Sequence, residues 1–120
     1  MFNGEISTPK HAESPEKGET LLRKTTLPNI RFVLCEPFIL PNGWVEKNTE
    51  LWQTEIKKRQ ENVRKLADEY QAIFIPFQQH FTKACQTAPA SFWIWDGVHP
   101  MPTGHELMAR VWIEEVMRNL

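Results

Sequence analysis

Two cysteines in 120 residues, Cys35 and Cys85, are too few and too widely spaced for a disulfide framework or for the paired ligands of a structural zinc site. Each is read as a reduced, buried thiol, the first in an apolar run and the second in an expected helix. An excess of charge is also lacking. With 14 basic and 15 acidic residues the formal net charge is -1, without the concentrated positive field that holds nucleic acid, so no nucleic-acid partner is expected. No run reaches the roughly 18 apolar residues of a membrane span, and the N-terminal stretch MFNGEISTPKHAESPEKGET lacks the apolar centre of a signal peptide. As written, the chain is expected to be cytoplasmic and without a membrane span. Internal repeats and low-complexity segments are absent too, and the serines number only three, Ser7, Ser14 and Ser91.

What is present suits one small globular domain. Hydrophobic residues at 41% and charged residues at 24% argue against wholesale disorder. Residues 1–14 mix Gly, Ser, Thr, Pro and charges without a period and read as a flexible arm, leaving residues 15–120 as the folded part. From Ser14 a short helix is expected, with Ser14 as cap and Pro15 at its first position. IRFVLCEPFIL, Ile30 to Leu40, is an almost continuous apolar run, the pattern of a strand covered on both faces, and Pro37 should end its ladder. PNGW then supplies turn residues. From Asn48 to Tyr70 the apolar positions Trp52, Ile56, Val63, Leu66, Ala67 and Tyr70 recur at helical spacing, while Glu55, Lys58, Glu61 and Lys65 form a solvated face.

AIFIPF, Ala72 to Phe77, reads as a second short strand and QQHFTKACQ after it as a helix. Strand, crossover helix and strand make a βαβ unit with parallel strands, hence an α/β fold. Two parallel strands do not close a core by themselves, so the sheet reads as incomplete. A last helix follows, with Thr103 and Glu106 spaced as a capping box and Leu107, Met108, Val111, Trp112 and Val116 as its apolar stripe.

The chemistry-bearing stretch is WIWDGVHPMPTGHE, residues 93–106. Asp96-Gly97-Val98-His99 has the length of a β-turn, whose outer α-carbons lie within about 7 Å, so carboxylate and imidazole can meet through local geometry alone. A carboxylate on one ring nitrogen fixes the histidine tautomer, leaves the other nitrogen as a base, and stabilises the imidazolium formed on proton uptake. Pro100 and Pro102 restrict the backbone behind the pair. The competing reading is structural: Asp96 starts a turn and His99 hydrogen-bonds nearby. Trp93 and Trp95 read as packing, with an acyl-pocket wall as the alternative, and His105 as a surface or capping residue. Asp96, His99 and His105 match no strong metal-ligand spacing.

The longer string, D-G-V-H-P followed by T-G-H-E-L-M-A, resembles the C-terminal block of the SGNH, or GDSL-type, esterases and lipases. In that family the block carries the Asp and His of a Ser-His-Asp triad. RFVLCEPFILP is similar to the buried strand that precedes the block, and the resemblance extends over about residues 15 to 120. It implies part of a three-layer α/β/α, flavodoxin-like fold with parallel strands, the N-terminal half of the domain being missing. It also implies catalytic roles for His99, as general base then acid, and Asp96, as its orienting partner. A metal-free mechanism without cofactors follows, with an ester or acylated small molecule as substrate. The family's Gly-Asp-Ser and Gly-x-Asn-Asp motifs, which bring the nucleophile and oxyanion donors, do not occur. Ser91, in APASFW, has no glycine-rich turn to present it. The chain alone is therefore expected to lack esterase activity. The alternative is a non-catalytic remnant or interaction module that associates, with itself or another chain, through its incomplete sheet.

Overall fold

The computed structural model describes Leu27 and residues 29–120. The arm expected over residues 1–14 and the helix expected from Ser14 lie outside them. Contacts divide the chain into Met1–Phe32 and Val33–Leu120, and every element named below belongs to the second unit.

Strands β1 (Val33–Cys35) and β2 (Ile73–Ile75) pair in parallel, with Val33 opposite Ile73, Leu34 opposite Phe74 and Cys35 opposite Ile75. A parallel pair needs a crossover, and the chain between them forms a short helix α1 (Gly43–Lys47) and a long helix α2 (Thr49–Glu69). The strand uses only part of its apolar run. The last ladder bond runs from the Glu36 N–H to the Ile75 carbonyl at 3.0 Å, and Pro37 has no N–H with which to continue. After β2 come α3 (Phe77–Ala84), α4 (Ala90–Trp93) and α5 (Pro102–Arg118).

Alternation along β2 sends Ile73 and Ile75 to one face and Phe74 to the other. On the first face, Ile73 and Ile75 join Leu40, Ile94, Phe77 and Phe81 of α3, and Val111 of α5 in the buried core. Phe38 packs into the same cluster, stacked on Phe81 with ring centroids 4.2 Å apart. On the second face, the Arg64 guanidinium of α2 lies over the Phe74 ring, 4.3 Å from its centroid. Helices thus pack on both faces of β2, the layered α/β arrangement that the βαβ pattern implies. In α2, Ile56 and Ala67 are buried and Trp52, Val63 and Leu66 half-buried, as is Tyr70 just after it, so the apolar stripe faces inward as its spacing predicts.

Four expectations are corrected. Strand β1 is not covered on both faces: Val33 and Leu34 are half-buried and Cys35 is exposed. Its only partner among the described residues is β2, so one edge has no neighbouring strand, and Cys35 and the half-buried Cys85 are not the buried thiols expected. The capping box does not form. Helix α5 starts with Pro102 in its first turn and no side-chain cap, because the Thr103 hydroxyl donates to the Phe92 carbonyl and Glu106 pairs with Arg110 at 2.8 Å. Trp112, expected in the inward stripe, is exposed, while Gly104 is buried in the first turn against the Trp93 carbonyl. The tight approach at Gly104 pins the start of α5 to the end of α4, next to the Asp96 loop.

Candidate active site

Ile94 and Pro100 form an isolated antiparallel bridge, and the Trp95 N–H donates to the His99 carbonyl at 3.1 Å, so residues 95–99 close a loop of their own. Asp96 organises its interior. Its Oδ1 accepts the N–H groups of Val98 at 2.8 Å and His99 at 2.7 Å, an Asx-type arrangement in which a side chain replaces a backbone acceptor. A hydrogen-bonded β-turn would use the Asp96 carbonyl for the His99 N–H. Instead that carbonyl accepts from the Trp44 N–H at 3.0 Å, so the loop is tied outward as well as closed inward.

The other carboxylate oxygen, Oδ2, lies 2.6 Å from Nδ1 of His99. Asp96 is 2% exposed, whereas the His99 side chain is 44% exposed, so the acid is the inner member of the pair and the imidazole the outer one. Burial by itself pushes the Asp96 carboxyl up. The two backbone N–H groups, the ring hydrogen bond and the charge of His99 outweigh it and hold the carboxyl below its ordinary value. An ionised carboxylate only accepts, so Nδ1 must carry the shared proton. Neutral His99 then has Nε2 as its unprotonated nitrogen. An imidazole held this way can take a proton from a hydroxyl within reach, and the buried carboxylate stabilises the cation that forms.

The two residues singled out as a catalytic pair are therefore in contact. Ser91, the only serine among the described residues, is exposed on α4, and no hydrogen bond joins it to His99. His105 is exposed in the first turn of α5, where its backbone N–H donates to the Met101 carbonyl at 2.9 Å. Trp93 is half-buried and donates its indole N–H to the Ala88 carbonyl at 3.3 Å. Trp95 is exposed and stacks on the imidazole, with centroids 6.2 Å apart and planes at 29°. Trp44, also exposed, meets the imidazole edge-on at 6.0 Å. Sequence reasoning did not place Trp44 at the site; the signal was the Asn-Gly pair before it, since Gly43 adopts a φ of +53° and turns the chain onto the Asp96 backbone. Among the described residues, no group of three or more His, Cys, Asp or Glu side chains is gathered as metal ligands would be.

Residues 11–112 match the family described as GDSL-like Lipase/Acylhydrolase. An acetylxylan esterase from Geobacillus stearothermophilus is 32% identical over 54 residues, which are 45% of this chain and 25% of that protein. A solved structure from Parabacteroides merdae, described as a GDSL-like lipase, superposes with a TM-score of 0.76 at 39% identity, covering 83% of this chain and 45% of that one. The solved acetylxylan esterase of Geobacillus stearothermophilus shares the fold, with a TM-score of 0.63 at 24% identity over 84% of this chain and 45% of its own. The chain thus spans under half the length of these relatives. On a match that runs through the loop holding Asp96 and His99, this chain belongs to the GDSL-like Lipase/Acylhydrolase family.

Proposed function

We propose that the chain supplies the proton-transfer half of a GDSL-type carboxylic-ester hydrolase. His99 takes the proton of a serine hydroxyl as that oxygen attacks the ester carbonyl, then passes it to the departing alcohol; the acyl group left on the serine is released by water through the same shuttle. Asp96 holds the ring in the tautomer that keeps Nε2 basic and offsets the positive charge that each transfer creates. The observation that carries this reading is the 2.6 Å contact between a buried, ionised Asp96 and a half-exposed His99. The family's ester chemistry fits it, and the name of the acetylxylan esterase relative points to acylated sugars among the candidate esters.

The nucleophile and the oxyanion donors come from residues other than these 120, in a longer polypeptide or on a partner. Without them the covalent route and most of the transition-state stabilisation are gone, each worth orders of magnitude in rate. The purified chain is expected to hydrolyse p-nitrophenyl acetate no faster than buffer. A rate above buffer that disappears in His99→Ala would overturn the divided triad. The positive test joins residues 27–120 to the part of the Parabacteroides merdae protein that has no counterpart here. The chimera should hydrolyse the ester and lose that activity in His99→Ala; a chimera whose rate is indifferent to His99 refutes the assignment.

A second reading has its own observation: an edge of β1 without a partner strand among the described residues, with Cys35 exposed and Val33 and Leu34 only half-buried. Such an edge is a template for pairing with another chain. It predicts self-association, and light scattering behind size-exclusion chromatography that reports a clean monomer at high concentration would refute it.

A further inference from the structure

Asn42 stands at the N-terminus of α1, where an asparagine ordinarily turns its side chain onto the first amides of its own helix. Here it makes no such bond. Its Nδ2 instead donates to two consecutive carbonyls far along the chain, Ile94 at 2.8 Å and Trp95 at 2.9 Å. In an extended chain successive carbonyls point to opposite sides. One amide nitrogen can hold both only where the backbone bends, and this bend is the entry to the Asp96 loop.

The surrounding contacts repeat the same link. The Leu40 N–H donates to the Gly97 carbonyl at 3.1 Å and the Trp44 N–H to the Asp96 carbonyl at 3.0 Å. The two segments also approach closely at two glycines. A Cβ on Gly43 would lie 2.6 Å from the Asp96 Cα, and one on Gly97 would collide with the Asn42 carbonyl and lie 2.5 Å from Val45 Cγ2. Backbone bonds and close packing hold the middle of the Asp96 loop; the Asn42 side chain holds the carbonyls of the two residues before it.

We propose that Asn42 is a positioning residue, whose side-chain amide sets the bend at Trp95 and thereby holds the Asp96 carboxylate against Nδ1 of His99. Its side-chain hydrogen bonds go to neither side chain of the pair but to the backbone that carries them. The catalytic consequence rests on the ester-hydrolase reading above, but the geometric claim does not.

The test is proton NMR on the full 120-residue chain, following the low-field His99 Nδ1–H signal that a short bond to a carboxylate produces, together with the titration of the Asp96 carboxyl. In Asn42→Ala the Nδ1–H should exchange with solvent about tenfold faster or more, the scale set by losing one to two hydrogen bonds, and the Asp96 carboxyl should move up toward its ordinary range. If that variant does not fold, Asn42→Ser keeps a good helix cap but lacks the double donor, and should give the same changes. Ile56→Val, a destabilising change in the buried face of α2, should leave both signals in place. Unchanged signals in a folded Asn42 variant overturn the proposal. Equal changes in Ile56→Val overturn it too, by reducing the effect to general loosening. The activity of the chimera is a separate readout: loss of the NMR signature in Asn42→Ala with a chimera indifferent to His99 removes the catalytic reading and leaves the positioning role intact.

Discussion

Replacing Asp96 by asparagine removes one charge without changing shape, and the loop geometry dictates how the new amide must sit. Oδ1 of Asp96 accepts two backbone N–H groups, from Val98 at 2.8 Å and His99 at 2.7 Å. Only the amide oxygen of the variant can occupy that place. Turning its NH2 there would oppose donors to donors and strand two N–H groups in a buried loop, at about 1–3 kcal/mol each. The alternative costs less. With the oxygen inward, the NH2 faces Nδ1 of His99, and the ring keeps a hydrogen bond by moving its proton to Nε2, so that Nδ1 accepts. Three charge-assisted hydrogen bonds become neutral ones, a loss partly offset by the easier burial of a neutral group, so the net stability change is about 1–2 kcal/mol. The functional change is far larger, because the proton now occupies the nitrogen that must act as base: the chimera described above should lose about 10,000-fold in kcat, as expected for a wrong tautomer. Nitrogen-15 NMR of the imidazole distinguishes the tautomers directly. Wild type should show neutral His99 protonated on Nδ1, and Asp96→Asn should show it protonated on Nε2. A variant that keeps the Nδ1 proton would refute the reasoning, since the two backbone donors would then not control the orientation of the side chain.

The depressed Asp96 carboxyl has a stability consequence with a definite sign. A carboxyl held lower in the folded than in the unfolded state contributes stability above its unfolded value and loses it as pH falls through the folded one, so the advantage of wild type over Asp96→Asn in urea unfolding should be full near neutrality and vanish in acid; an advantage that persists in strong acid would contradict this. Gly97 has a φ of +96° and meets Val45 and the Asn42 carbonyl where a Cβ would go, so Gly97→Ala should cost at least about 2 kcal/mol in the same assay, and a cost near zero would mean that the loop does not pack as described. Glu106 is exposed and, among the described residues, paired with the exposed Arg110, with no capping role, so Glu106→Ala should unfold within about 0.5 kcal/mol of wild type; a loss of a full cap's worth would restore the capping box.

Residues whose partners are near in sequence were legible before the structure. The spacing from Trp52 to Tyr70 predicts a helix, and the helix spans Thr49–Glu69 with Ile56 and Ala67 buried, because a periodic apolar stripe has only one way to face a sheet. Likewise, a separation of three positions between Asp96 and His99 allows the acid to reach the ring, and they meet at 2.6 Å. Position within a sheet was less legible: the run around Cys35 looks the same whether its strand has neighbours on both edges or on one, and Cys35 proves exposed. The cap of α5 failed for a related reason. Thr103 has the right spacing for its own helix, but the Phe92 carbonyl, brought close by the approach of Gly104 to Trp93, takes its hydroxyl instead.

The order of strands and helices, and the ability of Asp96 to touch His99, were set by the chain's own local pattern, since periodicity and short separations need nothing from the rest of the fold. Which oxygen faces which donor, the two tryptophans beside the imidazole, and the tie from Asn42 to carbonyls 52 and 53 residues away were decided only once β1 and the Asp96 loop came together. Contacts across such distances depend on where every intervening element packs, and no spacing in the sequence records that path.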